Sequence, residues 1–451
     1  MKVIIVGCGR MGYALAKQLS EENHDVTVID TRADKLERTL AVLDIQGVEG
    51  NGTSFRVQQE AGVKECDMMV AVTGQDEVNL LCCLIARRSG IQHAIARVQN
   101  PIYNEEIQYL SDELGLSMTI NPQLACARNI AKLIEVPGAL EITTFAKGRI
   151  DMVRLPIPKD SPVDGMTIVD FANKISNDTL VTAIERDGDV IIPNGRTKLL
   201  SGDYMYVILR PAQIVELLRK LGIKTKPIRS VLIAGGGSTA YYLAAQLSNL
   251  PIDVKIIEQD HARCEQLSGL LPKAMIIEGN ASDRQVLMEE GITEKDAMVA
   301  LTNMDEENLI LSMFTSKVSK AKTITKLNTI SFDEVLSDLP VGVVVSPKQI
   351  AAKSILQYVR ALENTHGSNV ETLHRILNER VEVLEFKVRG DSKVTNTPLM
   401  ELKLKKNLLV CGILRNGRLI TPGGKDEILP GDNVIIVTTV LGLKDIGNIL
   451  E

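Results

Sequence analysis

The sequence predicts a duplicated α/β chain in which a doubly wound parallel sheet is followed, twice over, by a small α+β module. Three observations predict it. The first thirty residues run as an apolar strand, a glycine-rich turn, a helix and a second strand ending in an acid. That pattern returns at Val231–Glu258, where Gly235 and Glu258 each stand 228 positions beyond Gly7 and Asp30 (235 − 7, 258 − 30). In both halves the strand–helix alternation then gives way to β-branched runs separated by turns. A period this long excludes a solenoid and marks duplication of a whole domain pair.

The opening unit carries the first chemistry. Val3-Ile4-Ile5-Val6 leads into Gly7-Cys8-Gly9-Arg10-Met11-Gly12, a helix runs to Leu19, and Val26–Asp30 forms the second strand. This order is a Rossmann-like dinucleotide-binding unit. Gly7 permits the tight turn, Gly9 lets backbone donors approach a pyrophosphate, and Gly12 lets the helix lie close on the sheet. The helix N-terminus offers unpaired N–H groups to the phosphates. Asp30 is placed to accept from ribose hydroxyls, with Thr31 beside it.

The remaining elements of the first lobe follow in order. A helix is expected over 34–41, a strand near Ile45–Val48, a turn at Gly50-Asn51-Gly52, and a helix from Ser54 to Ala61. Asp67–Thr73 reads as a buried parallel strand, 75–89 as a helix and Ala94–Val98 as the fifth strand. Tyr103–Leu110 is expected to be helical, Ser117–Ile120 a strand, and Asn121-Pro122 to open a helix reaching Ile134. Alternating strands and helices imply a parallel sheet covered on both faces. Beyond Val136-Pro137-Gly138 the module is mostly antiparallel, with a two-residue hairpin at Asp187-Gly188 and a closing helix at Ile214–Leu221. Lys224–Pro227 bridges to the second half. There Asn280, Asp296–Thr302 and Asp305-Glu306-Glu307-Asn308 repeat Asn51, Asp67–Thr73 and Asp76-Glu77-Val78-Asn79. Arg415-Asn416-Gly417 and Gly431-Asp432 likewise repeat Arg186-Asp187-Gly188 and Gly202-Asp203.

Composition excludes several classes. Apolar content of 45% with 24% charge is that of a globular protein, and the net charge of −6 argues against a nucleic-acid footprint. No apolar run approaches the roughly 18 residues of a membrane span, and the short N-terminal apolar run is taken up by the first strand, so no signal peptide is expected. The seven cysteines have no C-x-x-C spacing, so a reducing cytoplasm is expected and a zinc site is not. Cys82 and Cys83 read as buried small hydrophobes. The five histidines, His366 and His374 among them, show no metal-ligand spacing.

Taken together, these motifs resemble the TrkA family, the tandem RCK (KTN) regulatory subunits of Trk-type potassium uptake systems. The features that carry the resemblance are paired G-x-G-x-x-[GA] turns, an acid ending each second strand, and Thr-x-x-Asp-Glu-x-Asn after each fourth strand. The resemblance covers nearly the whole chain and implies four domains. These are RCK N-terminal nucleotide-binding domains at 1–135 and 228–360, and RCK C-terminal domains at 138–222 and 367–451. It further implies a cytoplasmic, peripheral homo-oligomer, a ring of four copies, docked under a membrane potassium-translocating subunit of the Trk type. NAD(H) or ATP/ADP would bias that ring between conformations.

The expected nucleotide site in the first lobe comprises the donors of Gly7, Cys8, Gly9, Arg10, Met11 and Gly12, the acid Asp30 with Thr31, then Asn51, Gly52, Thr73, Gly74 and Arg97. Arg97 would grip a phosphate through two parallel hydrogen bonds, or else pair on the surface with Glu105 or Glu106. Thr73 would line the site or cap the following helix, and Asp76 and Asn79 could orient loops without touching ligand. The second site is expected at Gly235, Gly236, Gly237, Ser238, Thr239, Glu258, Asn280, Thr302 and Lys326. Here Ala240 replaces the third glycine, Glu258 replaces Asp30, and Lys326 puts a point charge where Arg97 has a fork.

No constellation for catalysis accompanies these sites. Residues 138–222 contain neither histidine nor cysteine, and a Walker lysine motif is absent. A non-enzymatic switch is therefore expected. A soluble NAD(H) sensor acting elsewhere and an oxidoreductase are the alternatives. Ile134–Gly138 is a candidate hinge, and Asp30→Ala is expected to weaken nucleotide binding with the fold intact.

Overall fold

The computed structural model describes residues 1–451 apart from 102, 104–105, 146–148, 224–225, 329–335, 337–338, 365–369, 378–379 and 444. Glu105, His366 and part of the Lys224–Pro227 bridge therefore lie outside the described residues. The chain divides into two compact units, one of Met1–Ala131 with Ile228–Leu356, the other of Lys132–Pro227 with Gln357–Glu451.

The first unit holds both parallel sheets. Strands β1 (Lys2–Val6), β2 (Asp25–Asp30), β3 (Gln46–Glu49), β4 (Met68–Ala71), β5 (His93–Arg97) and β6 (Met118–Ile120) lie in the order β3-β2-β1-β4-β5-β6. The order reverses between β1 and β4, and a crevice at the carboxyl ends of the strands is expected at such a switch point. Helix α1 (Arg10–Glu21) buries Met11, Leu15, Ala16 and Leu19, the 3.6-residue stripe of a helix lying on a sheet. A Cβ on Gly12 would fall 1.9 Å from the Gly7 carbonyl oxygen, so α1 can sit this close to β1 only with glycine there. Helix α2 (Ala33–Leu40) follows β2, and α3 (Phe55–Glu60) follows β3. Helix α4 (Asp76–Arg88) follows β4 and buries Cys82 and Cys83 completely in the core beneath it, as inert thiols. Of the helix expected at Tyr103–Leu110, residues 104–105 lie outside the described residues and Tyr103 is helical; a helix spans Ile107–Leu114, and Gly115 at φ +64 ends it.

The second sheet repeats the first. Strands β12 (Ser230–Ala234), β13 (Asp253–Glu258), β14 (Ala274–Glu278), β15 (Ala297–Ala300), β16 (Lys322–Lys326) and β17 (Val343–Val345) take the order β14-β13-β12-β15-β16-β17. Its glycine turn leads into the helix Ser238–Leu247.

The second unit contains two antiparallel sheets. The first comprises β7 (Glu141–Phe145), β8 (Ile150–Pro156), β9 (Leu180–Arg186), β10 (Asp189–Ile191) and β11 (Tyr204–Leu209), in the order β10-β9-β11-β8-β7. The second comprises β18 (Val370–Ile376), β19 (Val381–Lys387), β20 (Leu408–Arg415), β21 (Arg418–Ile420) and β22 (Asn433–Thr438), with the same connectivity. Asp187 and Gly188 (φ +50 and +83), like Asn416 and Gly417 (φ +50 and +79), form two-residue turns with both φ positive, as tight hairpins require. Phe145, Met152 and Ile208 of the first sheet share one buried cluster with Val383, Cys411 and Val437 of the second.

The repeated Arg and Gly-Asp landmarks meet in space. Arg186 grips Asp203 through Nε and Nη2 at 2.8 and 2.7 Å and also donates to the Lys198 carbonyl. Arg415 grips Asp432 at 3.0 and 2.9 Å and donates to the Glu427 carbonyl. Each aspartate is 1–2% exposed and also accepts a backbone N–H, so a buried carboxylate holding a partly exposed arginine fork is built into each module.

Candidate functional site

The glycine turn is held by the acid at the end of β2. Gly7 turns the chain at φ +102 and donates to the Ile29 carbonyl at 2.8 Å. Asp30, 9% exposed, accepts from the Cys8 N–H at 2.6 Å on one oxygen and from the Arg32 N–H at 2.9 Å on the other. The N–H groups of Gly7 and Cys8 are thus engaged within the protein. Those at the head of α1 remain, where Gly9 occupies the cap position and no side chain closes the N-terminus. Each Asp30 oxygen keeps a lone pair for a ribose hydroxyl. Because the carboxylate also secures the turn, Asp30→Ala removes two accepted hydrogen bonds from the folded chain as well as the ribose acceptor. Burial pushes the Cys8 thiol up, and its Sγ lies 2.9 Å from Thr39 Oγ1.

Two buried side chains on α4 set the neighbouring loops. Asn79 accepts from the Thr73 N–H at 2.8 Å and donates to the Arg97 carbonyl at 2.9 Å. Asp76 accepts from the N–H groups of Gln99 and Asn100, both at 2.8 Å. Both orient loops. Thr73 does not cap α4: Gln75 occupies that position without a side-chain cap, and the Thr73 hydroxyl lies 2.7 Å from Asn79 Oδ1. A Cβ on Gly7 would lie 3.1 Å from the Thr73 backbone, so Thr73 forms one wall of the glycine turn and exposed Gly74 follows it. The second lobe repeats the network with Asn308, Thr302, the Lys326 carbonyl and Asp305.

The other expected residues divide. Thr31 and Asn51 are exposed, and Asn51 Oδ1 accepts from the N–H and hydroxyl of Thr53, which shapes a turn. Gly52 is buried against Val6 and Cys82, and its carbonyl accepts from Gln58 Nε2. Arg97 makes no ion pair with Glu106, and no carboxylate salt bridge to it occurs among the described residues. With the Gln99 amide oriented to present its oxygen, that oxygen accepts from Arg97 Nε at 2.7 Å and Nη1 at 3.0 Å. Burial lowers the Arg97 pKa, with Asp76 opposing. A desolvated guanidinium held by a neutral amide retains its attraction for an anion.

A cavity of about 420 Å³ opens on the outer side of this turn. Cys8, Gly9, Arg10, Tyr13 and Ala14 line it from the turn and α1, Lys35, Arg38 and Thr39 from α2, and Asn328, Ser346, Lys348 and Gln349 from the second lobe. Four of these residues are cationic and none is acidic. Burial lowers the Lys348 pKa, and the charges of Arg10 and Arg97 lower it further while Asp305 opposes. Four cations lining one cavity beside an open helix N-terminus, one of them the partly desolvated Lys348, form an arrangement suited to a polyphosphate. Sequence reading missed Lys35, Arg38 and Lys348. The first two share a face of α2 as an i, i+3 pair, a local signal; Lys348 arrives from the other lobe and has none.

In the second lobe, Glu258 repeats the role of Asp30, accepting from the Gly236 N–H at 2.7 Å and the Asp260 N–H at 2.9 Å. Gly235 (φ +98) turns against Leu301 and Thr302, Gly237 caps a helix that opens with Ser238 and buries Thr239, and Asn280 accepts from the Ser282 N–H. Lys326 does not present a free charge as Arg97's counterpart. It is 6% exposed, donates to the Leu301 carbonyl at 3.1 Å, and has its pKa lowered by burial. An unbranched amine can fold inward onto one carbonyl, whereas a fork of five donors cannot be satisfied that way. Arg263, also missed, reaches the Gly236 carbonyl at 2.8 Å.

Comparison with known proteins matches the TrkA-N domain at residues 3–122 and 231–347 and the TrkA-C domain at 152–222 and 383–450. The Trk system potassium uptake protein TrkA homolog of Archaeoglobus fulgidus is 33% identical over 437 residues, 97% of each chain. The Trk system potassium uptake protein TrkA of Halomonas elongata is 31% identical over 439 residues, 97% of this chain and 95% of its own. Among solved structures, the GsuK channel bound to NAD superposes with a TM-score of 0.63 at 18% identity, covering 97% of this chain and 76% of that one, a likeness of fold. With both domain types matched twice, in alternation and across the duplicated halves, the chain belongs to the TrkA family of Trk potassium uptake proteins.

Proposed function

We propose that this chain is the nucleotide-binding regulatory subunit of a Trk-type potassium uptake system, acting from the cytoplasmic face of the membrane on a separate translocating subunit. The observation that carries the reading is the cationic cavity beside the first glycine turn, together with family membership. No described helix is long and apolar enough to cross a membrane, and this reading assigns the pore to the partner. NAD(H) or ATP/ADP sits with its phosphates at the head of α1 and its ribose on Asp30. Arg10, Lys35, Arg38 and Lys348 neutralise the phosphate tail.

The site's construction suggests the mechanism. Its walls come from both lobes, so an anion that draws Lys348 towards Arg10 favours the arrangement in which the lobes are closest. A nucleotide shifts the assembly only as far as it binds one arrangement more tightly than the other. The chain works without catalysing a reaction, as a homotetrameric ring whose shape the translocating subunit reads. Equilibrium binding of NAD+, NADH, ATP and ADP to the purified chain, repeated on Arg10→Ala, tests the reading. Binding that Arg10→Ala weakens supports it; the absence of binding by all four nucleotides refutes it.

A further inference from the structure

The two lobes pair so that each glycine turn faces the other lobe, and the pocket at the first turn has a counterpart at the second. Internal equivalence fixes which residues correspond. Asp76 accepts from the Gln99 N–H as Asp305 accepts from the Asn328 N–H, so Gln99 stands for Asn328. Asn121 precedes the proline that opens one helix as Ser346 precedes the proline that opens the other. Ala14 and Tyr242 share the 228-residue offset of the glycine turns (242 − 14).

The first pocket is lined by Ala14, Asn328 and Ser346 and is open. In the counterpart those positions are Tyr242, Gln99 and Asn121, and they touch. Tyr242 is 6% exposed; its hydroxyl accepts from Asn121 Nδ2 at 3.1 Å and donates to the Gln99 carbonyl at 3.2 Å. The phenol therefore spans from one lobe to the other across the space that alanine leaves vacant in the first pocket. The charges differ in the same direction. Arg10, Lys35, Arg38 and Lys348 correspond to Ser238, Arg263, Gln266 and Gln123, and the one surviving cation, Arg263, is turned onto Gly236 and Gln266 of its own lobe.

We propose that Tyr242 is a built-in occupant of the second interlobe pocket, so that each chain takes one polyphosphate nucleotide, at the first lobe, and uses the second pocket as a fixed joint. A joint latched by a buried aromatic ring and two hydrogen bonds does not open and close with nucleotide supply, so the response is confined to one side of the lobe pair. This inference rests on the nucleotide reading given above.

Calorimetric titration of the full-length chain with ATP tests it. The expected result is one ATP per wild-type chain, abolished by Ala14→Tyr, which installs the same plug in the first pocket. Lys348→Ala, which adds no bulk, weakens that same single site. The converse variant, Tyr242→Ala with Ser238→Arg and Gln123→Lys, gains a second ATP. Two ATP per wild-type chain, undiminished binding in Ala14→Tyr, or no second ATP in the converse variant overturns the plug while leaving the nucleotide reading standing. No ATP bound by the wild type overturns the plug together with polyphosphate binding at the first pocket, and NAD+ titration then decides whether the broader nucleotide reading survives.

Discussion

Replacing Asp30 by alanine separates a ligand contact from a structural brace. In the folded chain its carboxylate accepts the Cys8 N–H at 2.6 Å and the Arg32 N–H at 2.9 Å. Cys8 is 5% exposed, so water does not readily replace its partner, whereas Arg32 is exposed and rehydrates. One buried donor left unpaired costs about 1–3 kcal/mol, and loss of a charge-assisted bond places the change towards the upper end, roughly 2–3 kcal/mol. Asp30→Asn keeps one acceptor oxygen and is expected to cost about half as much. Glu258→Ala, at a more exposed acid, is expected to cost about 1 kcal/mol. Denaturant unfolding of the three variants, followed by nucleotide titration under native conditions, reads both effects. Asp30→Ala should shift the unfolding midpoint and weaken nucleotide binding together, while Asp30→Asn should weaken binding with the smaller shift. An unfolding midpoint for Asp30→Ala equal to that of the wild type would refute the assignment of Asp30 as the brace of the glycine turn.

Other consequences are equally open to measurement. Asn79→Ala removes a fully buried amide that joins Thr73 to Arg97; a loss of about 2–3 kcal/mol is expected, and faster amide exchange at Thr73 would locate it. Asp203→Ala removes the buried acceptor of the Arg186 fork and of the Leu200 N–H, while the partly exposed guanidinium can rehydrate; a loss of roughly 1–3 kcal/mol is expected by thermal unfolding, with Asp432→Ala behaving alike. Lys348 has its pKa lowered by burial, with Arg10 adding to the shift, and a bound phosphate raises that pKa again; ATP therefore prefers the protonated form. Affinity should be full below the free-state pKa and decline as pH rises through it, in the range below the ordinary lysine value, with proton uptake on binding visible in buffers of different ionisation enthalpy.

The legibility of the sequence followed the range of the interactions. The glycine turns, the acids behind them and the Asp187-Gly188 hairpin are local, since each needs a backbone conformation or a spacing that few residues supply. Asn79 was readable as a loop-orienting side chain because it stands one turn into α4, six residues after Thr73, and Asn308 repeats that spacing after Thr302. Lys326 was misread because alignment gives its position and not its rotamer; the amine found a carbonyl inside the lobe. The cavity at the first turn was only half readable. Lys35 and Arg38 lie on a helix next to the acid, but Lys348 and Ser346 reach the site through pairing of the two lobes, which no local pattern encodes. Tyr242 was hidden for the same reason: in sequence it is an aromatic on an apolar helix face, and only the partner atoms at Asn121 and Gln99 distinguish it.

Potassium flux tests the central claim most directly. A Trk-type translocating subunit would be reconstituted in vesicles, the full-length chain added at its cytoplasmic face, and flux followed as ATP, ADP, NAD+ or NADH is supplied. The account predicts that a nucleotide changes flux only when the chain is present, and that Arg10→Ala abolishes or blunts that response while the chain still associates with the translocating subunit. Flux that is indifferent to the chain and to every nucleotide, or a response that Arg10→Ala leaves unaltered, would contradict it.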